Sequence, residues 1–198
     1  MSVEAEKEYQ DALNLIKAGH LRGDAEVLNR LRSAASLGSA KAKYAIATWL
    51  LHGTGVKPDP IYAVSLLTDA AASGIREAAY DLAVCYESGE GADQSNDLAF
   101  RYYLQSAEAG DRQAACEVGR CYYYGIGIGK DYLQSIRWYQ MAATGGCSDA
   151  QYALGSMYEY GDGVESNARL ASEWYAAAAQ NGNSEANEAL RRIARRTG

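Results

Sequence analysis

AQYALGSMYEYGDGV, residues 150–164, and ASEWYAAAAQNG, residues 171–182, are the two halves of one unit. The same unit occurs four times. Blocks beginning at Ser39, Ile75, Asp111 and Cys147 follow one another at intervals of 36 residues, with no insertion or deletion. Ala42, Ala78, Ala114 and Ala150 fall in register, as do Gly53, Gly89, Gly125 and Gly161. Gly55, Gly91, Gly127 and Gly163 follow two residues later. Paired small residues come next: Ala70-Ala71, Ser106-Ala107, Ala142-Ala143 and Ala178-Ala179. A fixed period of this size is the mark of a repeat architecture.

Each block reads as two helices. In the first block, Ala42, Ile46, Ala47 and Leu50 form a buried stripe at helical spacing over residues 40–52. The Gly-x-Gly pair then stops the helix, because glycine reaches the left-handed backbone that such a stop demands. A short loop leads to a second helix with Ala63, Leu66, Leu67, Ala70 and Ala71 inward. Small residues let neighbouring hairpins approach closely, and Tyr86, Tyr122 and Tyr158 fill wider gaps. Trp138 and Trp174 are expected between the helices of their hairpins. One hairpin cannot bury its own apolar face, so the array stabilises itself by stacking.

The ends differ from the middle. Residues 1–38 are expected to form a divergent capping hairpin, with Tyr9, Ala12, Leu13 and Ile16 on its first helix. Asp24 is the expected N-cap of its second helix, which carries Leu28, Leu31, Ala34 and Ala35. Residues 39–182 hold the four repeats. Residues 183–198 are expected to form a capping helix, with Ala186, Ala189, Leu190 and Ile193 inward and four arginines near its C-terminus.

The pattern Ala-x-Tyr-x-Leu-(Gly/Ala)-x-x-Tyr-x-x-Gly-x-Gly, then Ala-x-x-Trp-Tyr-x-x-Ala-Ala-x-x-Gly, resembles the Sel-1-like repeat, a relative of the tetratricopeptide group. The fourth block carries it best, and the third offers CYYYGIGIGKDYLQSIRWYQMAATGG. The first block departs from it, with Leu66-Leu67 in place of Trp-Tyr. The resemblance implies an all-α, right-handed α/α superhelical solenoid that serves as an adaptor or scaffold, with no enzymatic activity common to the family. Some secreted members staple each repeat with a disulfide. No block here repeats a cysteine pair in register, so that staple is not expected.

Composition narrows the classes further. The chain has 198 residues, 48% of them hydrophobic, and a formal charge of −6. The acidity argues against nucleic acid as a partner and favours a basic protein partner. The start of the chain lacks an apolar leader, and no run of about 18 apolar residues occurs. A cytoplasmic location, reduced cysteines, no membrane and a monomer are the matching expectations.

No constellation of side chains reads as catalytic or metal-binding. Gly125, Gly127 and Gly129 follow a helix, and no Gly-Lys-Ser/Thr ending completes a phosphate loop. Cys85, Cys116, Cys121 and Cys147 lack metal-ligand spacing, and His20 and His52 lie elsewhere in the sequence. No cofactor is expected, and the cysteines read as small apolar residues. Residues 75–110 hold seven carboxylates against two arginines, which reads as a solvated face or an electrostatic docking patch.

In superhelices of this kind the first helix of each hairpin lines the concave groove. Framework packing does not dictate its groove positions. The partner-binding residues expected there are Glu117, Arg120, Tyr124 and Tyr160, joined by Asp81 and His52. Tyr and Arg are enriched among residues that carry interface energy. The expected function is a non-enzymatic protein-interaction module that holds a protein or peptide segment. An inhibitor or immunity-type protein that blocks a toxin or enzyme is the second reading, and a small-ligand receptor or enzyme the third.

Overall fold

Eleven α-helices follow one another in the computed structural model, which describes residues 2–197. They are α1 (Val3–Lys17), α2 (Ala25–Ser36), α3 (Ala40–His52), α4 (Pro60–Ala72), α5 (Arg76–Ser88) and α6 (Asn96–Glu108), then α7 (Arg112–Tyr124), α8 (Tyr132–Thr144), α9 (Ser148–Tyr160), α10 (Ala168–Gln180) and α11 (Ala186–Thr197). Met1 and Gly198, the outer ends of the two expected capping segments, lie outside the described residues.

Local chemistry sets where these helices begin and end. The side chains of Ser39, Asp59, Asp111, Asp131 and Asn167 each accept a backbone N–H from the third residue of the helix they precede. Each such cap satisfies an otherwise orphaned donor and stabilises its helix by about 1 kcal/mol. At the other end, α3, α5, α7 and α9 all stop on the in-register glycine. Gly53, Gly89, Gly125 and Gly161 have φ of 64, 79, 77 and 81°, the left-handed region. Asp24 departs from expectation. It occupies the N-cap position of α2 without capping it, because its carboxylate accepts instead from the N–H of Leu21 at 2.9 Å and pairs with His20 at 3.3 Å.

The chain divides into two compact units, residues 1–102 and 103–198, the division falling within α6. In the first unit, successive helices from α1 to α5 pack on one another. Their shared core runs from Ala12, Val27 and Leu31 through Leu67, Ala70 and Ala71 to Leu82 and Cys85. In the second unit, α7 to α11 pack successively, and α7 also touches α9. Tyr175, Ala178, Ala186, Ala189 and Ile193 join α11 to the hairpin before it.

In the third and fourth repeats the central packing contact is a glycine against a tyrosine. A Cβ built on Gly119 would lie 2.7 Å from the Tyr139 ring, and one on Gly155 would lie 2.6 Å from the Tyr175 ring. These tyrosines, 5% and 0% exposed, are the residues lodged against the first helices of their hairpins. Trp138 and Trp174, expected in that place, remain half-buried beside them. The first repeat solves the same contact with a larger and a smaller partner, Ala47 and Leu67, both fully buried.

This pairing predicts a rescue. Gly119→Ala should destabilise by up to about 2 kcal/mol, because overpacking costs about 1–3 kcal/mol and the roughly 1 kcal/mol that Ala gains in helix propensity offsets only part of it. Adding Tyr139→Leu should cost less than the sum of the two single changes, since it recreates the Ala47–Leu67 arrangement. Urea unfolding of the four proteins measures the coupling. Strict additivity would show that the glycine and tyrosine act independently.

Candidate functional site

Residues 117, 120 and 124 stand at helical spacing on one face of α7. The Arg120 Nε donates to the Glu117 Oε2 at 2.7 Å, so the two expected charges form a half-buried pair along the helix. One helical turn on, Tyr124 is 62% exposed. Its ring meets the Tyr123 ring edge-on, with centroids 4.8 Å apart at 76°. Edge-to-face geometry matches the positive ring edge to the negative face and holds both rings in place.

Beneath Tyr124 lies a cleft of about 120 Å³, lined by Tyr123, Tyr124, Tyr139, Tyr152, Ala153 and Ser156. Helices α7 and α9 form its two sides and α8 contributes Tyr139. Tyr123 is tied down by its hydroxyl, which donates to Asp162 Oδ2 at 2.6 Å, and by the Tyr132 ring 5.2 Å away. Burial, then the bond to Asp162, pushes the Tyr123 phenol well above its ordinary range. Burial pushes Tyr139 up as well and raises Tyr152. These three are therefore neutral phenols at physiological pH. They offer aromatic faces and hydroxyl hydrogen bonds, and none of them is a poised base or nucleophile.

The other expected residues lie apart from this cleft. Tyr160, 57% exposed at the end of α9, has the Arg192 guanidinium of α11 at 6.0 Å from its ring centroid. His52 is exposed at the end of α3, and Asp81 is half-buried on α5. Both belong to the first unit, so the cleft is the work of the second unit alone. The first unit has its own larger cleft, about 590 Å³, with Arg32, Trp49, Leu50, Lys57 and Ile61 among its lining. Among the described residues no group of three or more His, Cys, Asp or Glu side chains is placed to hold a metal ion. No helix among them is long and apolar enough to cross a membrane.

Tyr123, Tyr139 and Tyr152 were absent from the expected site. Tyr139 and Tyr152 occupy repeat positions and read as framework. Tyr123 carried a usable signal, because Leu51, Glu87 and Glu159 stand at its place in the other blocks. A position that accepts such different side chains is not dictated by packing.

A second polar cluster holds α11 to the fourth repeat. Glu159, whose side chain is 3% exposed, accepts from Arg192 Nε at 3.0 Å and Nη2 at 2.7 Å. It also accepts from Arg196 at 3.2 Å and from the Tyr175 hydroxyl at 2.9 Å. The Arg192 bond, then the Tyr175 bond, outweighs burial and holds the carboxyl below its ordinary value. Every lone-pair direction of this buried carboxylate is engaged, which is what such a group requires.

Comparison with known proteins places the fold in a family. No curated protein matches the chain. Among solved structures it is similar to a Sel1 repeat protein from Oxalobacter formigenes, with 27% identity and a TM-score of 0.82 over 94% of this chain and 74% of that one. It is also similar to a protective antigen of uropathogenic Escherichia coli, at 23% identity and a TM-score of 0.67, where it covers 98% of itself and 50% of the antigen. An immunity protein from Pseudomonas aeruginosa is 25% identical, with a TM-score of 0.54 over 94% of this chain and 68% of that one. The model of the Sel1 repeat matches residues 40–75, 76–111, 112–147 and 148–183. These four consecutive matches and the helix pairs that carry them make this chain an all-α solenoid of the Sel1 repeat family.

Proposed function

We propose that this Sel1 repeat protein binds a segment of another protein along the α7–α9 face of its second unit. The observation that carries the reading is Tyr124, a large aromatic ring left 62% exposed above a cleft whose walls are tyrosines. Tyrosine at the centre of an interface supplies contact area and a hydroxyl at little entropic cost. The Glu117–Arg120 pair at its side gives the partner a polar register mark. Charge adds a direction. A net charge of −6 favours a basic partner and speeds its encounter.

The test is affinity capture from the native cell lysate with wild-type protein and with an Arg120→Glu, Tyr124→Ala, Tyr160→Ala variant shown to be folded by circular dichroism. Loss of the partner with the variant is expected, with affinity down at least about tenfold, as for removal of two or more hot-spot side chains. A partner held equally by both proteins moves the interface elsewhere, the first unit's larger cleft being the next place to look.

A second reading has one observation in its favour, the 25% identity to an immunity protein over most of both chains. On that reading the partner is an enzyme or toxin, and the bound partner loses its activity. An activity assay of the captured partner separates the two.

A further inference from the structure

The first unit's cleft of about 590 Å³ is walled by α2 and by the turn into α4, with α3 as its floor. That volume lies within the roughly 300–1,000 Å³ of sites that bury a drug-sized group. Ile46 and Trp49, both buried, make the floor apolar, and Ile61 stands at the rim, 74% exposed. Two exposed cations frame this surface, Arg32 from α2 and Lys57 from the turn. Other cations of α2 and α3 are answered, Arg30 by Glu8 at 3.1 Å and Lys43 by Asp69 at 2.6 Å. Arg32 and Lys57 make no ion pair or side-chain hydrogen bond among the described residues. The one carboxylate in the lining, Asp59, is engaged as the N-cap of α4, where it accepts the Tyr62 N–H at 3.0 Å.

The repeat framework does not require these cations. Arg32 stands in register with Thr68, Leu104, Gln140 and Ala176, and Lys57 with Asp93, Gly129 and Glu165. No other repeat carries a cation at either place. The cleft is also distinct from the face discussed above. Tyr44, Ala45 and Thr48 are the α3 residues in register with Tyr152, Ala153 and Ser156 of the tyrosine-lined cleft. At about 100° per residue they project from the opposite side of α3 to Ile46 and Leu50.

We propose that the first unit's cleft docks an acidic segment of another protein, with an apolar side chain on the Trp49 floor and flanking carboxylates on Arg32 and Lys57. Charge selects this occupant. A chain of net charge −6 repels an acidic segment over most of its surface, and two unanswered cations beside an apolar floor reverse that locally. The guanidinium offers a carboxylate a planar fork, and the lysine a point charge on a flexible stem. The proposal does not depend on what the α7–α9 face binds.

Fluorescence anisotropy of fluorescein-labelled peptides tests this with the full-length protein. Each peptide carries a leucine, phenylalanine or tryptophan between pairs of glutamates, and each has a twin with glutamine in place of glutamate. At least one acidic peptide should bind saturably and its twin at least about tenfold more weakly. Added salt should weaken the acidic peptide and not its twin. Arg32→Glu with Lys57→Glu, in protein shown to be folded by circular dichroism, should lower affinity for the acidic peptide at least about tenfold. If that variant does not fold, Lys57→Gln at the exposed turn serves instead and should still weaken binding. Saturable binding by no acidic peptide, equal binding of an acidic peptide and its twin, or full affinity in the folded cation variant would overturn the proposal.

Discussion

Replacing Tyr175 by Ala should lower stability by about 3–5 kcal/mol and Tm by roughly 10–15 °C. The ring is fully buried and lodged against Gly155, and its hydroxyl donates to Glu159 at 2.9 Å. Truncation therefore opens a cavity the size of an aromatic ring and removes one donor from a buried carboxylate. Trp174→Ala, one residue earlier, removes a larger but half-buried side chain. It should cost less than half as much. Thermal unfolding followed by circular dichroism compares the two directly. A Trp174 variant as unstable as the Tyr175 variant would mean that the tryptophan carries the packing after all.

Glu159→Gln is the second large effect, about 2–3 kcal/mol at pH 7. Breaking a buried ion pair costs about 3–5 kcal/mol where both charges are sealed from water. Here the Arg192 and Arg196 side chains are 39% and 63% exposed and regain hydration, so the lower figure applies. The change also alters the acid limb of stability. The Glu159 pKa is lowered in the fold from 4.5, the ordinary glutamate value. Above 4.5 the carboxyl is ionised folded and unfolded, and its full contribution is present. As pH falls below 4.5 the unfolded chain binds a proton before the folded one does, and the contribution is lost as pH approaches the lower folded value. Glu159→Gln should therefore show a shallower fall in stability below pH 4.5 than wild type. Parallel acid limbs for the two proteins would show that Glu159 is not held below its ordinary value.

The repeat made most of the fold legible. Its 36-residue register places all four Gly-x-Gly stops, and α3 spans residues 40–52 as periodicity requires. What periodicity could not do was choose between adjacent aromatics. Trp138-Tyr139 and Trp174-Tyr175 differ by one position, about 100° around a helix, and both members are large and apolar enough for a core. The second member is the one buried in every repeat, Tyr103 included, where Ala83 takes the glycine's place, and in the third and fourth repeats Gly119 and Gly155 lie against the tyrosine ring. That contact lies between helices and has no signature within either one. Asp24 failed for a local reason, since the short GHLRG loop turns its carboxylate back onto Leu21 and His20.

The candidate site was legible in part. Glu117, Arg120 and Tyr124 share a face of α7 because helical spacing puts them there. The cleft beneath them needed three dimensions, since Tyr139 and Tyr152 come from different helices and double as framework. The Glu159 cluster was invisible for the same reason. Its partners Arg192 and Arg196 lie 33 and 37 residues away in sequence, on the capping helix, where their position alone explained them as C-terminal charges.

A photo-crosslinking amino acid placed at position 124, against the same group at the exposed Arg137 of α8, tests the central claim most directly. With the captured partner present, crosslinks are expected from position 124 and not from position 137. Crosslinks from position 137 alone would put the partner on another face and contradict a binding site built on α7 and α9.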